Sequence, residues 1–139
     1  MKKMHREIEF RGIWYDPLIK PKKPEWIYGC LKVPKSGKRP QICSRIAEGW
    51  FVVERETVGQ YTGVKDKNGK KIYEGDVVFD GEYTGIVWCF PDSAAYTVCY
   101  DGLSKHLADD HPDRLEIIGN VFDNPEYKKR FGRVFEDET

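Results

Sequence analysis

The chain has 139 residues, 40% of them hydrophobic and 14% aromatic, with 23 Lys or Arg balanced by 23 Asp or Glu. That length and apolar share are enough for one moderate core or two small ones, which excludes a disordered chain. No apolar run approaches the roughly 20 residues that cross a bilayer as a helix, and Met1 to Glu7 is polar and charged, so neither a membrane span nor a signal peptide is expected.

The expected location is therefore the cytoplasm, with no membrane partner. Eight Pro and thirteen Gly interrupt helices, and the many rings suit pleated surfaces, so the expected class is mainly β. Zero net charge conceals an uneven distribution. Residues 1–56 carry thirteen Lys or Arg against seven Asp or Glu, a net of +6, whereas residues 57–122 carry six against eleven, a net of −5. A basic face can be built from the first part alone.

The first alternating run is Glu7 to Trp14, with Ile8 and Phe10 on one face and Glu7, Glu9 and Arg11 on the other, which predicts a strand ended by Asp16-Pro17. Asp16 to Glu25 holds three prolines and three lysines and reads as an exposed loop. Trp26 to Val33 is a second strand, with Gly29 marking a bulge or a close approach. Pro34 to Pro40 is another basic loop, followed by strands at Gln41 to Ile46 and Trp50 to Val53. Residues 1–56 thus form a small N-terminal β-sheet region, divided from the rest at the polar run Glu54-Arg55-Glu56.

The surest local element lies between Tyr61 and Val78, where Asp66-Lys67-Asn68-Gly69 supplies an Asn-Gly hairpin tip. Glu74-Gly75-Asp76 then predicts a bulge or bend leading into a core strand. From Thr57 onward the strand signals are evenly spaced: Val58 to Val64, Lys71 to Asp80, Glu82 to Phe90, Ala95 to Asp101 and Arg114 to Phe122. Five short strands over residues 57–122 point to a closed or nearly closed β-barrel. Both faces of Glu82 to Phe90 are largely apolar, so that strand should be covered on both sides. Leu103 and Leu107, four apart, suggest a helical turn stopped by Pro112. In the last part, residues 123–139, Asn124-Pro125-Glu126 predicts a short C-terminal helix from Pro125 to about Arg130, ending near Gly132, with a frayed tail from Phe135 to Thr139.

The central stretch resembles the YopX family of phage- and prophage-encoded proteins. Gly59, Gln60, Tyr61, Thr62 and Gly63, then Lys65, Asp66, Lys67, Asn68 and Gly69, then Tyr73, Glu74, Gly75 and Asp76 follow the family's pattern in order and spacing. Arg6 to Arg11 with Glu25 to Gly29, and Ile118 to Val121 with Asn124 to Glu126, extend the likeness over residues 6–127. Val64 and Lys71 stand where the family more often has Leu and Glu. The resemblance implies a mostly β protein with an SH3-like barrel, a mobile-element origin and no established catalytic residues. Its motif reads as fold-forming, with Gly63, Gly69 and Gly75 serving turns.

The residues offer four kinds of chemistry, each with a plainer alternative. Lys20, Lys22, Lys23, Lys35, Lys38 and Arg39 occupy two Pro-bounded loops near Tyr15, Trp26 and Tyr28. They could neutralise phosphates while a ring such as Trp26 stacks on a base, or they could simply be solvated loops. Cys89, Cys99, His106 and His111, with Asp109 and Asp110, lack metal-ligand spacing, so no metal or other cofactor is expected. Glu74 and Asp76 could form an acid/base pair, but their place at a Gly bend favours turn hydrogen bonding. Cys30, Cys43, Cys89 and Cys99 are expected as reduced thiols. An exposed strand edge could take a protein partner or a second copy. The sequence therefore predicts a non-enzymatic binding module for a protein partner, which the resemblance implies is a host or phage protein, with nucleic acid as the alternative.

Overall fold

The computed structural model describes residues 7–90 and 94–132. Arg6 and the tail Phe135 to Thr139 lie outside the described residues. The chain divides into two compact units, Met1–Tyr61 and Thr62–Thr139. Both are built from antiparallel strands, so the protein is mainly β.

In the first unit, β1 (Phe10–Tyr15) pairs with β2 (Pro24–Lys32) in a register running from Tyr15 opposite Pro24 to Phe10 opposite Gly29. Next to β2 lies β3 (Gln41–Ser44), and next to that β4 (Trp50–Val52). On the other side of β1, β5 (Gly59–Lys65) begins with Gly59 opposite Arg11. Ile27, Ile42 and Val53 form the core of this unit, packed by Phe10, Trp14, Leu31, Phe51 and Val58. Trp14 meets Phe51 edge-on with centroids 5.0 Å apart. After β4 the chain returns to β1, where the Glu54 N–H donates to the Ile13 carbonyl at 2.8 Å. Thr57 secures the return: its Oγ1 accepts from the Ile13 N–H at 2.9 Å and donates to the Glu54 carbonyl at 2.6 Å.

The expected polarity of the first strand is reversed at its start. Ile8 is 62% exposed, while Glu9 and Arg11 are buried at 4% and 5%. Partners far away in sequence account for this: the Arg11 guanidinium lies 4.5 Å from the centroid of Trp26, and Glu9 Oε1 lies 3.5 Å from Arg45 Nη1. A buried charge is tolerable when it is paired in this way.

In the second unit the end of β5 is joined to β6 (Lys71–Tyr73) through the Asn68-Gly69 tip, where Gly69 has φ +80. Asp66 organises that turn. Its Oδ1 accepts from the Asn68 and Lys70 N–H groups, each at 2.9 Å, and its Oδ2 from the Ile117 N–H at 3.0 Å. The predicted bend at Gly75 separates β6 from β7 (Asp76–Phe79). A five-stranded sheet follows, built from β7, β8 (Thr84–Phe90), β9 (Ala95–Tyr100), β10 (Leu103–His106) and β11 (Glu116–Asn120) in the order β10-β9-β8-β7-β11. Strand pairing among the described residues does not close this sheet into a barrel; β10 and β11 are its edges.

β8 is covered on both sides, as its two apolar faces predict. Val87 packs with Ile72, Val78, Val98, Leu107 and Leu115, and Ile86 packs with Val77, Cys99, Val121 and Phe131. The helical turn expected from Leu103 and Leu107 is instead a strand. The Asp101-Gly102 turn, with Gly102 at φ +80, folds Leu103–His106 back along β9, and only then does a 3-10 turn at Leu107–Asp109 bury Leu107. Helix α1 spans Pro125–Arg130 as predicted. Asn124 stands at its N-cap, but its Oδ1 accepts from the Asn120 N–H at 3.2 Å instead of capping the helix. No helix among the described residues is long and apolar enough to cross a membrane.

Candidate nucleic-acid interface

A strand sends alternate side chains to opposite faces, so register determines which rings share a surface. Arg11 faces Tyr28 and Ile13 faces Trp26, with Tyr15, Cys30 and Lys32 on the same side at alternate positions. Cys30 faces Cys43, and Cys43 faces Trp50, which carries this side across β3 and β4. The face opposite the core of the first unit therefore presents Tyr15, Trp26, Tyr28 and Trp50, while Arg11 and Ile13 on the same side of β1 are buried at 5% and 4%. Tyr15, Trp26 and Tyr28 are half-buried, and Trp50 is 50% exposed.

Cations accompany three of these rings. Besides Arg11 on Trp26, Lys22 Nζ lies 5.7 Å from the Tyr15 centroid, and Lys32 Nζ lies 5.7 Å from that of Trp50. The two lysine contacts, at exposed sites, are worth about 0.5–1 kcal/mol each. They also hold the charges beside the ring surfaces. Successive same-side positions on β2 are about 6.7 Å apart, so Trp26, Tyr28, Cys30 and Lys32 form a regular track along the strand.

The basic loops predicted from sequence both border this sheet. Lys20, Lys22 and Lys23 are exposed in the connection from β1 to β2, and Lys35, Lys38 and Arg39 in the connection from β2 to β3. These connections leave from opposite ends of β2, about 26 Å apart for a nine-residue strand. Lys22 and Trp26 are brought to one end; Lys35, Lys38 and Arg39 belong to the other. Arg39 Nη1 is 3.3 Å from Glu54 Oε1, which offsets part of its charge. The exposed residues that sequence reasoning missed are Lys32 and Trp50, with Arg11, buried at 5%, supporting Trp26 from within. Period-two alternation was their available signal, but it becomes informative only once the pairing of β2, β3 and β4 is known.

The other candidates have structural settings. Asp76 is 2% exposed and its Oδ2 accepts from the Tyr73 N–H at 2.7 Å, while Tyr73 is buried at 4%. Gly75, at φ +91, donates its N–H to the Val87 carbonyl and accepts from the Val121 N–H, so the bend joins neighbouring strands. Gly59 and Thr62 are buried, and the Thr62 hydroxyl donates to the Ile72 carbonyl at 2.8 Å; Gln60 and Glu74 are half-buried, and Gly63 and Lys65 are exposed. Burial alone would raise the Asp66 pKa. The N–H groups of Ile117, Lys70 and Asn68, with the Lys70 charge, outweigh it and hold the carboxyl below the ordinary aspartate value.

Cys89 and Cys99 leave opposite faces of the second sheet, Cys89 on the side of Val87 and Cys99 on that of Ile86. Burial pushes both thiols up, with Glu74 adding to the effect at Cys89. Asp110 accepts a hydrogen bond from the Tyr100 hydroxyl, and its Oδ1 lies 3.9 Å from Lys105 Nζ. Burial, then Asp110, pushes the Tyr100 phenol up. Among the described residues no three His, Cys, Asp or Glu side chains gather as a ligand set.

No curated protein matches the chain. Residues 27–127 match the profile of the YopX protein family, a span running from β2 into α1 and containing every residue of the central motif. The chain belongs to the YopX family.

Proposed function

We propose that this protein is a non-enzymatic binding module whose first unit takes single-stranded nucleic acid on the outer face of its sheet. The observation that carries this reading is the single surface holding Tyr15, Trp26, Tyr28 and Trp50, with Lys22 and Lys32 set against its rings. Bases stack on aromatic surfaces without regard to sequence, and flanking lysines neutralise phosphates. A duplex hides its bases from such a sheet, so the face favours single strands. The family resemblance supports a phage or prophage origin and action in the cytoplasm of a bacterial host. It also supports an SH3-like relationship for the second unit, where a meander from β7 to β10 is followed by a 3-10 turn and the returning strand β11.

A second reading is a protein partner or a second copy added at the edge of β10. All four residues of that strand are exposed, Leu103 at 57%, and Tyr83 nearby at 59%. Strand addition uses such an edge. Fluorescence-anisotropy titrations of labelled single-stranded DNA, RNA and duplex DNA, at about 50 and 200 mM salt, separate the two. With about three phosphates neutralised, single-strand affinity falls roughly 20-fold between those salts, and duplex binds more weakly. Absence of binding at the lower salt removes the nucleic-acid reading and leaves the β10 edge.

A further inference from the structure

Cys30 and Cys43 face each other directly across β2 and β3. The Arg45 N–H donates to the Tyr28 carbonyl at 2.9 Å, so the Tyr28–Arg45 position is of the hydrogen-bonded type, and the type recurs two residues along at Cys30–Cys43. The Cα separation at such a position is about 5.5 Å, inside the range that a disulfide spans. Both thiols leave the sheet on one side. Cys30 is exposed, Cys43 is half-buried, and both are free. Cys89 and Cys99 face opposite sides of their sheet and have no such geometry.

We infer that Cys30 and Cys43 form a two-thiol modification site that exchanges with low-molecular-weight disulfides such as oxidised glutathione. The exposed Cys30 reacts first: its thiolate attacks one sulfur of the small disulfide, forms a mixed disulfide and releases one small thiolate. Cys43, opposite, then attacks the Cys30 sulfur as its thiolate, closes the cross-strand bond and releases the second small thiolate. The protein loses two electrons and two protons, and the small disulfide gains both, leaving as two thiols. Backbone pairing on both sides of Cys30 and Cys43 holds the two sulfurs in register, so the second step is intramolecular and outruns reaction of Cys43 with a second small disulfide. The site stands on strand register and is independent of whether the neighbouring rings bind nucleic acid.

The test is incubation of the folded, reduced protein with oxidised glutathione, followed by intact mass, thiol counting in denaturant and peptide mapping. The expected product has lost two hydrogens, retains two of its four thiols and carries a Cys30–Cys43 link without a glutathione adduct. Cys43→Ser, which removes the resolving thiol but leaves the strand polar and of similar size, should instead trap one glutathione on Cys30. Four thiols remaining in the wild-type protein, or a stable adduct on Cys30 while Cys43 is present, would overturn the inference.

Discussion

Asp66→Ala should destabilise the second unit by about 3 kcal/mol, because three backbone N–H groups lose a charged acceptor at once. The carboxylate bridges elements far apart in sequence: Asn68 and Lys70 in its own turn, and Ile117 on β11. Asp66→Asn keeps one carbonyl oxygen but turns an NH2 group toward an N–H donor, so it should cost about 2 kcal/mol. The pH dependence has a definite sign. The native carboxyl titrates below its unfolded value, so its stabilisation is complete above about pH 4 and disappears as the pH falls through the lowered native pKa. The wild type and Asp66→Asn should therefore differ most near neutrality and converge in acid, as read by urea denaturation across that pH range.

Gly29→Ala should have the largest effect on the first unit. A Cβ at this position would sit 1.8 Å from the Cys43 carbonyl oxygen, a backbone atom with no flexible end to swing aside. Either β2 or β3 must shift, which breaks the pairing that holds the outer face together, at a cost of about 3 kcal/mol or more. Gly37→Ala is the control. That glycine has positive φ, at +73, but a Cβ there meets nothing within 4 Å, so the cost should stay near 1 kcal/mol. Thermal melts of the two variants, followed by near-ultraviolet circular dichroism of the first unit's tryptophans, distinguish a broken strand pair from a strained turn.

What the sequence disclosed was local, and what it hid depended on distant partners. Asn68-Gly69 and Asn124-Pro125 each encode a turn or helix start within four residues, and the structure places the hairpin and α1 where they indicate. The two-sided apolar pattern of β8 was likewise legible, since it needs only period two. Leu103 and Leu107 misled because a spacing of four suits a helix as well as a tight turn, a short strand and one buried anchor. Glu9 and Arg11 read only as the polar face of an alternating strand because Arg45 and Trp26, their partners, are remote in sequence. The binding face was half legible. Trp26 and Lys22 stood together in the chain, but Trp50 joins them only through three successive strand pairings, and the two basic loops separated once β2 was seen to run between them.

The most direct test of the central claim is the affinity of Trp50→Ala for labelled single-stranded DNA, measured by anisotropy at about 50 mM salt beside the wild type. Trp50 is half exposed and lies on the side of β4 away from the Ile27–Ile42–Val53 core, so its removal should leave the fold intact. Loss of one stacking platform, worth about 1–3 kcal/mol, should weaken binding by at least about fivefold. Unchanged affinity in a folded Trp50→Ala protein that still binds single strands would contradict the account, because nucleic acid would then be held elsewhere than on this face.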